Sequence, residues 1–246
     1  MVIKKPGSIF RVRGNRTLDA VAYGACAGVA IAAFAIGAAL SLDPMYPVKA
    51  AAACAAMAVL VRMVRDPHPF PRLGPANRVT IVRAMIVALL AACIRESTRP
   101  DLATAVVAGI ALTAILDGVD GWLARRSGMA SALGARLDME TDALLVLVAS
   151  ILVWQFGKAG VWVLVGGLMR YVFVASGRIL PWMRGKLSPT VRAKTITIVH
   201  VIGLCAALAP IVPWPLSAIV VGATTALLAL SFAIDVGRLW AAREIA

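Results

Sequence analysis

Charged residues are scarce in this chain, and acidic ones most of all. They make up 15% of its 246 residues, and only 12 residues are Asp or Glu. A typical soluble domain has about 25% charged and about 45–50% apolar residues, whereas 61% of this chain is hydrophobic. This shortage excludes an ordinary soluble domain. The long apolar runs that take its place are rich in Ala and Gly, and such small residues let membrane helices approach closely.

Cysteine and histidine are also too few and too scattered for their usual chemistry. The chain has two histidines and four cysteines, it has no Cys-x-x-Cys pair, and each cysteine lies inside an apolar run. Zinc sites and dithiol redox sites need closely spaced Cys or His ligands. We therefore exclude both and interpret the cysteines as small buried apolar residues.

Eight apolar segments divide the sequence. They cover residues 18–42, 47–64, 78–94, 101–122, 138–156, 160–177, 195–212 and 216–236. A membrane span requires about 20 apolar residues, and backbone groups in lipid must find hydrogen bonds within the segment, which favours helices. The sequence therefore predicts an all-α polytopic membrane protein with about eight spans.

The positive charge is unevenly distributed between the two sides of the predicted membrane. The formal net charge of +13 could indicate a nucleic-acid partner. If the N-terminus is cytoplasmic, however, only four of the 25 basic residues fall in outer connections: Lys49, Arg95, Arg99 and Lys158. Basic residues concentrate on the cytoplasmic side of membrane proteins. We therefore predict an inner or plasma membrane protein with both termini in the cytoplasm, in contact with lipid and not with nucleic acid.

Prolines divide the chain into three parts. Residues 1–65 form a basic segment and a helical hairpin, residues 66–76 form a Pro-rich linker, and residues 77–246 contain six further helices. Proline lacks an amide hydrogen and interrupts helices, so a continuous helix through Pro67, Pro69 and Pro71 is not expected.

Four of the few acidic residues lie close together at the adjoining ends of two apolar segments: Asp117, Asp120, Asp138 and Asp142. Ionisable groups at membrane depth are costly and therefore indicate function. The members of each pair are three or four residues apart, so each pair shares one face of its helix. Because a short loop joins the two helices, we predict that they are antiparallel neighbours and that all four carboxylates converge.

Converging carboxylates repel one another and need cations between them. Hard oxygen ligands select Mg²⁺, Mn²⁺ or Ca²⁺, and two such ions could hold a diphosphate and stabilise the oxygen that leaves. The small residues Gly121, Ala124 and Gly134 would leave room for a nucleotide beside the helices.

The pattern D-x2-D-G-x2-A-R-x8-G-x3-D-x3-D, from Asp117 to Asp142, resembles the signature of the CDP-alcohol phosphotransferases, and every fixed position is filled. Upstream, the stretch from Asn77 to Arg83 is similar to the N-x-x-T-x-x-R start of the first core helix in that family. The hairpin before residue 66 is additional to the usual six-helix core.

This resemblance implies a cavity open to the cytoplasm and to lipid, and a reaction in which an acceptor alcohol attacks a CDP-linked donor and releases CMP. It implies two Mg²⁺ or Mn²⁺ ions bound by Asp117, Asp120, Asp138 and Asp142, with Asp142 also acting as general base. It also implies a homodimer. The nucleotide contacts that it implies are Asn77, Thr80, Gly121, Ala124, Arg125 and Gly134.

The acceptor is less clearly encoded than the donor. Arg170 lies well inside the sixth segment, where it could hold an anionic acceptor or extend towards the cytoplasm. Arg178, Arg192 and Lys194 could line the acceptor entrance or anchor lipid headgroups. We expect CDP-diacylglycerol as donor, with an acceptor such as glycerol phosphate or an inositol phosphate.

Three alternatives remain at this point. One is a CDP-choline or CDP-ethanolamine phosphotransferase that uses diacylglycerol as acceptor. Another is a membrane ion or metabolite transporter that uses the Asp cluster as an ion site, although all four carboxylates lie at one end of their helices. The third is a catalytically silent scaffold.

Overall fold

All regular structure in the described residues is helical. The computed structural model describes residues 7–63, 73–129, 131–184 and 190–243. These ranges contain eight α-helices: α1 (Gly7–Ala39), α2 (Tyr46–Met63), α3 (Pro75–Ala92), α4 (Pro100–Ser127), α5 (Ala132–Gln155), α6 (Leu164–Ile179), α7 (Val191–Leu208) and α8 (Leu216–Ala242). Short 3₁₀ turns at Val161–Val163 and Pro181–Arg184 flank α6. The all-helical prediction is confirmed.

Within the described ranges, six stretches are long and apolar enough to cross a bilayer: Ala20–Ala39, Pro75–Ala92, Pro100–Ser127, Val161–Ile179, Val191–Leu208 and Leu216–Ala241. The apolar part of α2, Tyr46–Leu60, is shorter, and α5 carries charged side chains from Arg136 to Asp142. Large apolar side chains such as Ile31, Phe34 and Ile219 are exposed on these helices, as lipid-facing residues are. The chain is an integral membrane protein, and a count of eight spans stays a prediction.

Some sequence predictions fall outside the described part of the chain. They concern Lys4, Lys5, the side chains of Arg11, Arg13 and Arg16, and the linker prolines Pro67, Pro69 and Pro71. The proposed division at residues 65 and 77 therefore stays a prediction.

The first of two compact units contains residues 1–96 and 112–142. In it, α1 packs on α2, and both helices pack on α3. Gly28 permits one close approach, since a Cβ there would lie 2.9 Å from the terminal methyl of Met85. The buried Tyr46 donates its hydroxyl to the Leu89 carbonyl at 3.1 Å. These two contacts attach the N-terminal hairpin to the second half of α3.

An ion pair adds to this attachment at the end of α3. The Lys49 ammonium lies 2.5 Å from the Glu96 carboxylate, whose side chain is 3% exposed. The second Glu96 oxygen accepts a hydrogen bond from the Asp43 amide at 3.0 Å. A buried carboxylate needs such partners, so Glu96 ties the connection between α1 and α2 to the residues that follow α3.

Two helices that carry candidate site residues, α3 and α5, begin with ordinary start signals. Pro75 occupies the first turn of α3, where its missing amide hydrogen costs nothing. The Ser131 hydroxyl precedes α5 and accepts a hydrogen bond from the Gly134 amide at 3.1 Å. These starts place Asn77 in the first turn of α3 and Gly134 in the first turn of α5.

The second unit contains residues 97–111 and 143–246. In it, α7 packs on α8, and α6 also contacts α8. Glycine permits close contacts here too, since a Cβ at Gly167 would lie 2.6 Å from the Leu147 Cα. The fully buried His200 shares a 3.2 Å hydrogen bond with Thr224. We interpret His200 as a packing residue.

Candidate metal centre

Two helix segments within the first unit, residues 112–127 of α4 and residues 132–142 of α5, bring carboxylates to one place. Asp117 and Asp120 lie near the end of α4, and Asp138 and Asp142 lie in the first half of α5. Asp117, Asp120 and Asp138 each offer a carboxylate oxygen within 4.8 Å of the others. The predicted convergence of the two pairs is therefore observed.

Arg83 from α3 lies at the centre of these carboxylates. Its Nη1 is 2.6 Å from an Asp120 oxygen and 2.5 Å from an Asp138 oxygen. Its Nη2 is 2.9 Å from an Asp117 oxygen and also pairs with Asp142. One guanidinium thus joins all four acidic side chains, which we call the Asp quartet. With all four ionised, three negative charges remain uncompensated.

The position of Arg83 corrects the sequence interpretation. The charge count left Arg83 among the basic residues on the cytoplasmic side of the membrane, but its side chain is only 1% exposed. A signal was present, because Arg83 is the last fixed position of the motif that begins at Asn77. It also lies one turn after Thr80 and so shares its helix face. Charge counting assigned Arg83 to the membrane surface, whereas in the structure its side chain is buried and forms ion pairs with the carboxylates.

Thr80 contacts the quartet and not solvent. It is 3% exposed, and its hydroxyl lies 3.1 Å from an Asp120 oxygen and 3.1 Å from the Ala76 carbonyl. A hydroxyl has one hydrogen and cannot donate fully to both acceptors. Thr80 therefore helps to hold Asp120 in place. The sequence had indicated only a nucleotide contact for Thr80.

Asn77 and Gly134 fit closely against each other. A Cβ on Gly134 would lie 2.3 Å from the Asn77 side-chain oxygen and 3.2 Å from its side-chain carbon. Asn77 is 6% exposed, and its amide nitrogen finds no hydrogen-bond partner among the described residues. A buried donor without a partner is costly. In this structure, the Asn77 side chain therefore occupies the space that a side chain at residue 134 would fill. Its amide nitrogen can still donate hydrogen bonds.

The remaining predicted nucleotide contacts lie on α4. A Cβ at Gly121 would meet the Arg125 guanidinium at 3.5 Å, which is an ordinary contact. Ala124 is half-buried, and Arg125 is exposed. Their contact with a nucleotide stays a prediction.

The quartet is open on the side of α5. The side chains of Asp138 and Asp142 are 41% and 40% exposed, whereas that of Asp120 is 5% exposed. Carboxylate oxygens with an excess of negative charge and an open side suit a hard divalent cation. The residues present therefore fit a divalent metal ion.

The four candidate acceptor residues belong to the second unit. Arg170 and Arg178 lie on α6, and each has polar interactions of its own. Lys194 on α7 is exposed. Contact of these residues with an acceptor stays a prediction.

Arg192 is already engaged in an ion pair. Its Nη2 lies 2.5 Å from an Asp235 oxygen, closer than the 3.8 Å between Arg238 and the same oxygen. Any contact between Arg192 and an anionic acceptor would have to compete with Asp235.

These observations define the class of protein first: an integral membrane protein with an acidic cluster on two adjoining helices that could hold a metal ion. The particular family follows from comparison with known proteins. Residues 73–237, about two thirds of the chain, match the family model of the CDP-alcohol phosphatidyltransferases. The chain belongs to this family. No curated protein matches it.

Family membership carries the general chemistry with it. It implies a divalent-metal-dependent transferase of substituted phosphate groups, with a CDP-alcohol donor, an alcohol acceptor and a membrane lipid among the reactants. It favours a transferase over the transporter and scaffold alternatives. The match begins at residue 73, so the N-terminal hairpin lies outside the region that defines the family.

Proposed function

We propose that this protein transfers the phosphatidyl group of CDP-diacylglycerol to a small polar alcohol and releases CMP. The observation that carries the proposal is the Asp quartet, with its excess negative charge and its exposed side. The filled signature from Asp117 to Asp142 and the family match support the same reaction class.

The reaction is a displacement at phosphorus. The acceptor oxygen forms a bond to the phosphate that carries diacylglycerol, and the bond from that phosphorus to the oxygen of CMP breaks. CMP leaves with the bonding electrons, and the acceptor hydroxyl loses its proton to a base. A divalent cation, Mg²⁺ or Mn²⁺, held by the quartet would polarise the diphosphate and offset the charge on the leaving phosphate.

Asp142 is the proposed base. Its side chain is 40% exposed, so an acceptor alcohol can approach it, whereas Asp120 is 5% exposed and held by Arg83 and Thr80. A carboxylate within hydrogen-bond reach of a hydroxyl can accept its proton as the new bond forms. Asp117, Asp120 and Asp138 serve as metal ligands in this proposal, and Asp142 is a ligand to a second ion.

The donor is proposed to bind along the same helices. The free donors of the Asn77 amide suit a phosphate or ribose oxygen, and the exposed Arg125 guanidinium suits a phosphate. Gly121, Ala124 and Gly134 present little side-chain bulk to the nucleotide. Thr80 acts mainly through Asp120.

The acceptor is proposed to be anionic, such as glycerol phosphate or an inositol phosphate. Support comes from the charges available: Arg170, Arg178, Arg192 and Lys194 are all basic. A second candidate reaction, transfer from CDP-choline or CDP-ethanolamine to diacylglycerol, uses the same quartet but needs no anion-binding residues. The proposal also places the protein in the inner or plasma membrane, with the site on the cytoplasmic side. It further includes assembly as a homodimer.

The test is CMP release by purified protein supplied with Mg²⁺ and CDP-diacylglycerol, with acceptors offered one at a time. EDTA should stop the reaction, and added Mg²⁺ or Mn²⁺ should restore it. Asp101→Asn is a matched control, because Asp101 is an exposed carboxylate on α4 paired only at the surface with Arg99.

Acceptor-dependent CMP would support the reaction and identify the acceptor. CMP formed only from CDP-choline or CDP-ethanolamine with diacylglycerol would favour the second candidate. If no donor and acceptor pair releases CMP, the transferase proposal is wrong and the quartet must be considered as an ion site.

A further inference from the structure

Arg83 makes an unusual set of contacts for a single cation in a membrane helix. Its guanidinium pairs with one oxygen from each member of the Asp quartet, and its side chain is 1% exposed. Four carboxylates this close would repel strongly without a positive charge among them. Arg83 therefore supplies, from the protein itself, part of the charge that a metal ion would supply.

A divalent cation and Arg83 require the same carboxylates. The planar guanidinium donates to carboxylate oxygens in fixed directions, and a hard cation binds oxygens of the same groups. Two positive charges held by one cluster also repel each other, and burial keeps water from screening that repulsion. Each cation therefore lowers the affinity of the cluster for the other.

The two cations reach the cluster from different sides. Arg83 extends from α3 into the buried side, next to Asp120, whereas Asp138 and Asp142 are open to the outside. A metal ion can thus enter on the open side while the Arg83 side chain remains on the buried side.

We propose that Arg83 is a built-in counter-cation that holds the Asp quartet together in the metal-free protein and weakens its affinity for divalent cations. This proposal rests on the proposed function only in taking the quartet as the metal site. It makes Arg83 a positioning residue, because it acts on the carboxylates and not on the reacting atoms.

The experiment measures Mn²⁺ binding to purified protein without any substrate, from the electron paramagnetic resonance signal of free Mn²⁺. The neutral variant Arg83→Gln should bind Mn²⁺ more tightly than the natural protein by at least about tenfold, because a nearby positive charge is removed. Arg83→Lys keeps the charge, but its single ammonium bridges fewer carboxylates, so it should bind Mn²⁺ more tightly than the natural protein by up to about threefold and less tightly than Arg83→Gln. Arg126→Gln removes a charge from an exposed side chain of α4 that stacks on Trp122, and it should leave affinity unchanged.

Thermal unfolding gives a second, independent readout. In EDTA, the melting temperature of Arg83→Gln should be lower than that of the natural protein, and Mn²⁺ should raise it by a larger amount. If Arg83→Gln can be purified only with Mn²⁺ present, that requirement supports the proposal. If it cannot be purified at all, Arg83→Lys decides. Its single ammonium cannot bridge four carboxylates, so its metal-induced rise should exceed the natural one, and an equal or smaller rise refutes the proposal.

The outcomes separate this inference from the proposed function. Weaker or unchanged Mn²⁺ binding by Arg83→Gln would overturn the counter-cation role even if the natural protein binds Mn²⁺ and releases CMP. If the natural protein binds no divalent cation, the metal assignment and this inference both fail.

Discussion

Replacing Gly134 with alanine would place a methyl group where the Asn77 side-chain oxygen now lies. The new Cβ would be 2.3 Å from that oxygen, and ordinary contacts begin near 3.4 Å, so atoms must move by about 1 Å. Overpacking of this kind costs about 1–3 kcal/mol, and the better helix propensity of alanine returns up to about 1 kcal/mol. From the middle of the overpacking range, the net cost is about 1–2 kcal/mol. The melting temperature in detergent should therefore fall by about 2–8 °C, at about 2–4 °C per kcal/mol.

Two further variants identify the cause of that loss. Gly24→Ala on α1 adds the same methyl group in open space, so its melting temperature should stay level or rise slightly. Combining Gly134→Ala with Asn77→Ala removes the obstructing oxygen. The free energy of unfolding lost in the double variant should be smaller than the sum of the losses in the two single variants, by about 1 kcal/mol or more.

A different result would refute this steric reasoning. If Gly134→Ala keeps its melting temperature, shows no coupling to Asn77 and yet loses CMP release, the glycine serves the bound nucleotide and not Asn77. Measuring stability and CMP release on the same preparations distinguishes the two explanations.

Three other changes should have separable effects. Asp138→Asn should abolish CMP release while the protein still melts cooperatively, and clear residual activity would refute its role as a metal ligand. Thr80→Val removes the hydroxyl that contacts Asp120. Mn²⁺ affinity should then fall about tenfold, because residues that orient metal ligands have effects of this size. An unchanged affinity would contradict that role. Lys49→Met leaves the buried Glu96 carboxylate without its ammonium partner and should cost about 1–3 kcal/mol in thermal unfolding. Adding Glu96→Gln should recover part of the loss, and failure to do so would contradict the ion-pair explanation.

The sequence predicted the number and order of the helices but set some of their ends too early or too late. α4 continues to Ser127, five residues past the predicted end, and α5 begins at Ala132, six residues before the predicted start. Hydropathy marks only the apolar part of a helix. Backbone hydrogen bonding continues through polar residues such as Arg125 and Arg136, so α4 and α5 are longer than their apolar runs.

The Asp quartet was accessible from the sequence because its geometry is local. Residues three or four apart on a helix share a face, and a short loop between α4 and α5 brings the two pairs together. The filled signature then connected the quartet to a known family, which the family match confirms. None of these steps required knowledge of how distant parts of the chain pack.

The sequence by itself thus determined the helical membrane class, the acidic pairs and the family, because each depends on hydropathy or on spacing along one stretch of chain. Only the tertiary structure showed that Arg83 pairs with all four carboxylates of the quartet and that Gly134 makes room for Asn77. It also showed that the hairpin is attached to α3 through Tyr46 and to the residues after α3 through Lys49. The physical reason is that these contacts join side chains from different helices. Whether a basic residue lies at the membrane surface or inside a cluster depends on where its distant partners are, and spacing along the chain carries no information about that distance.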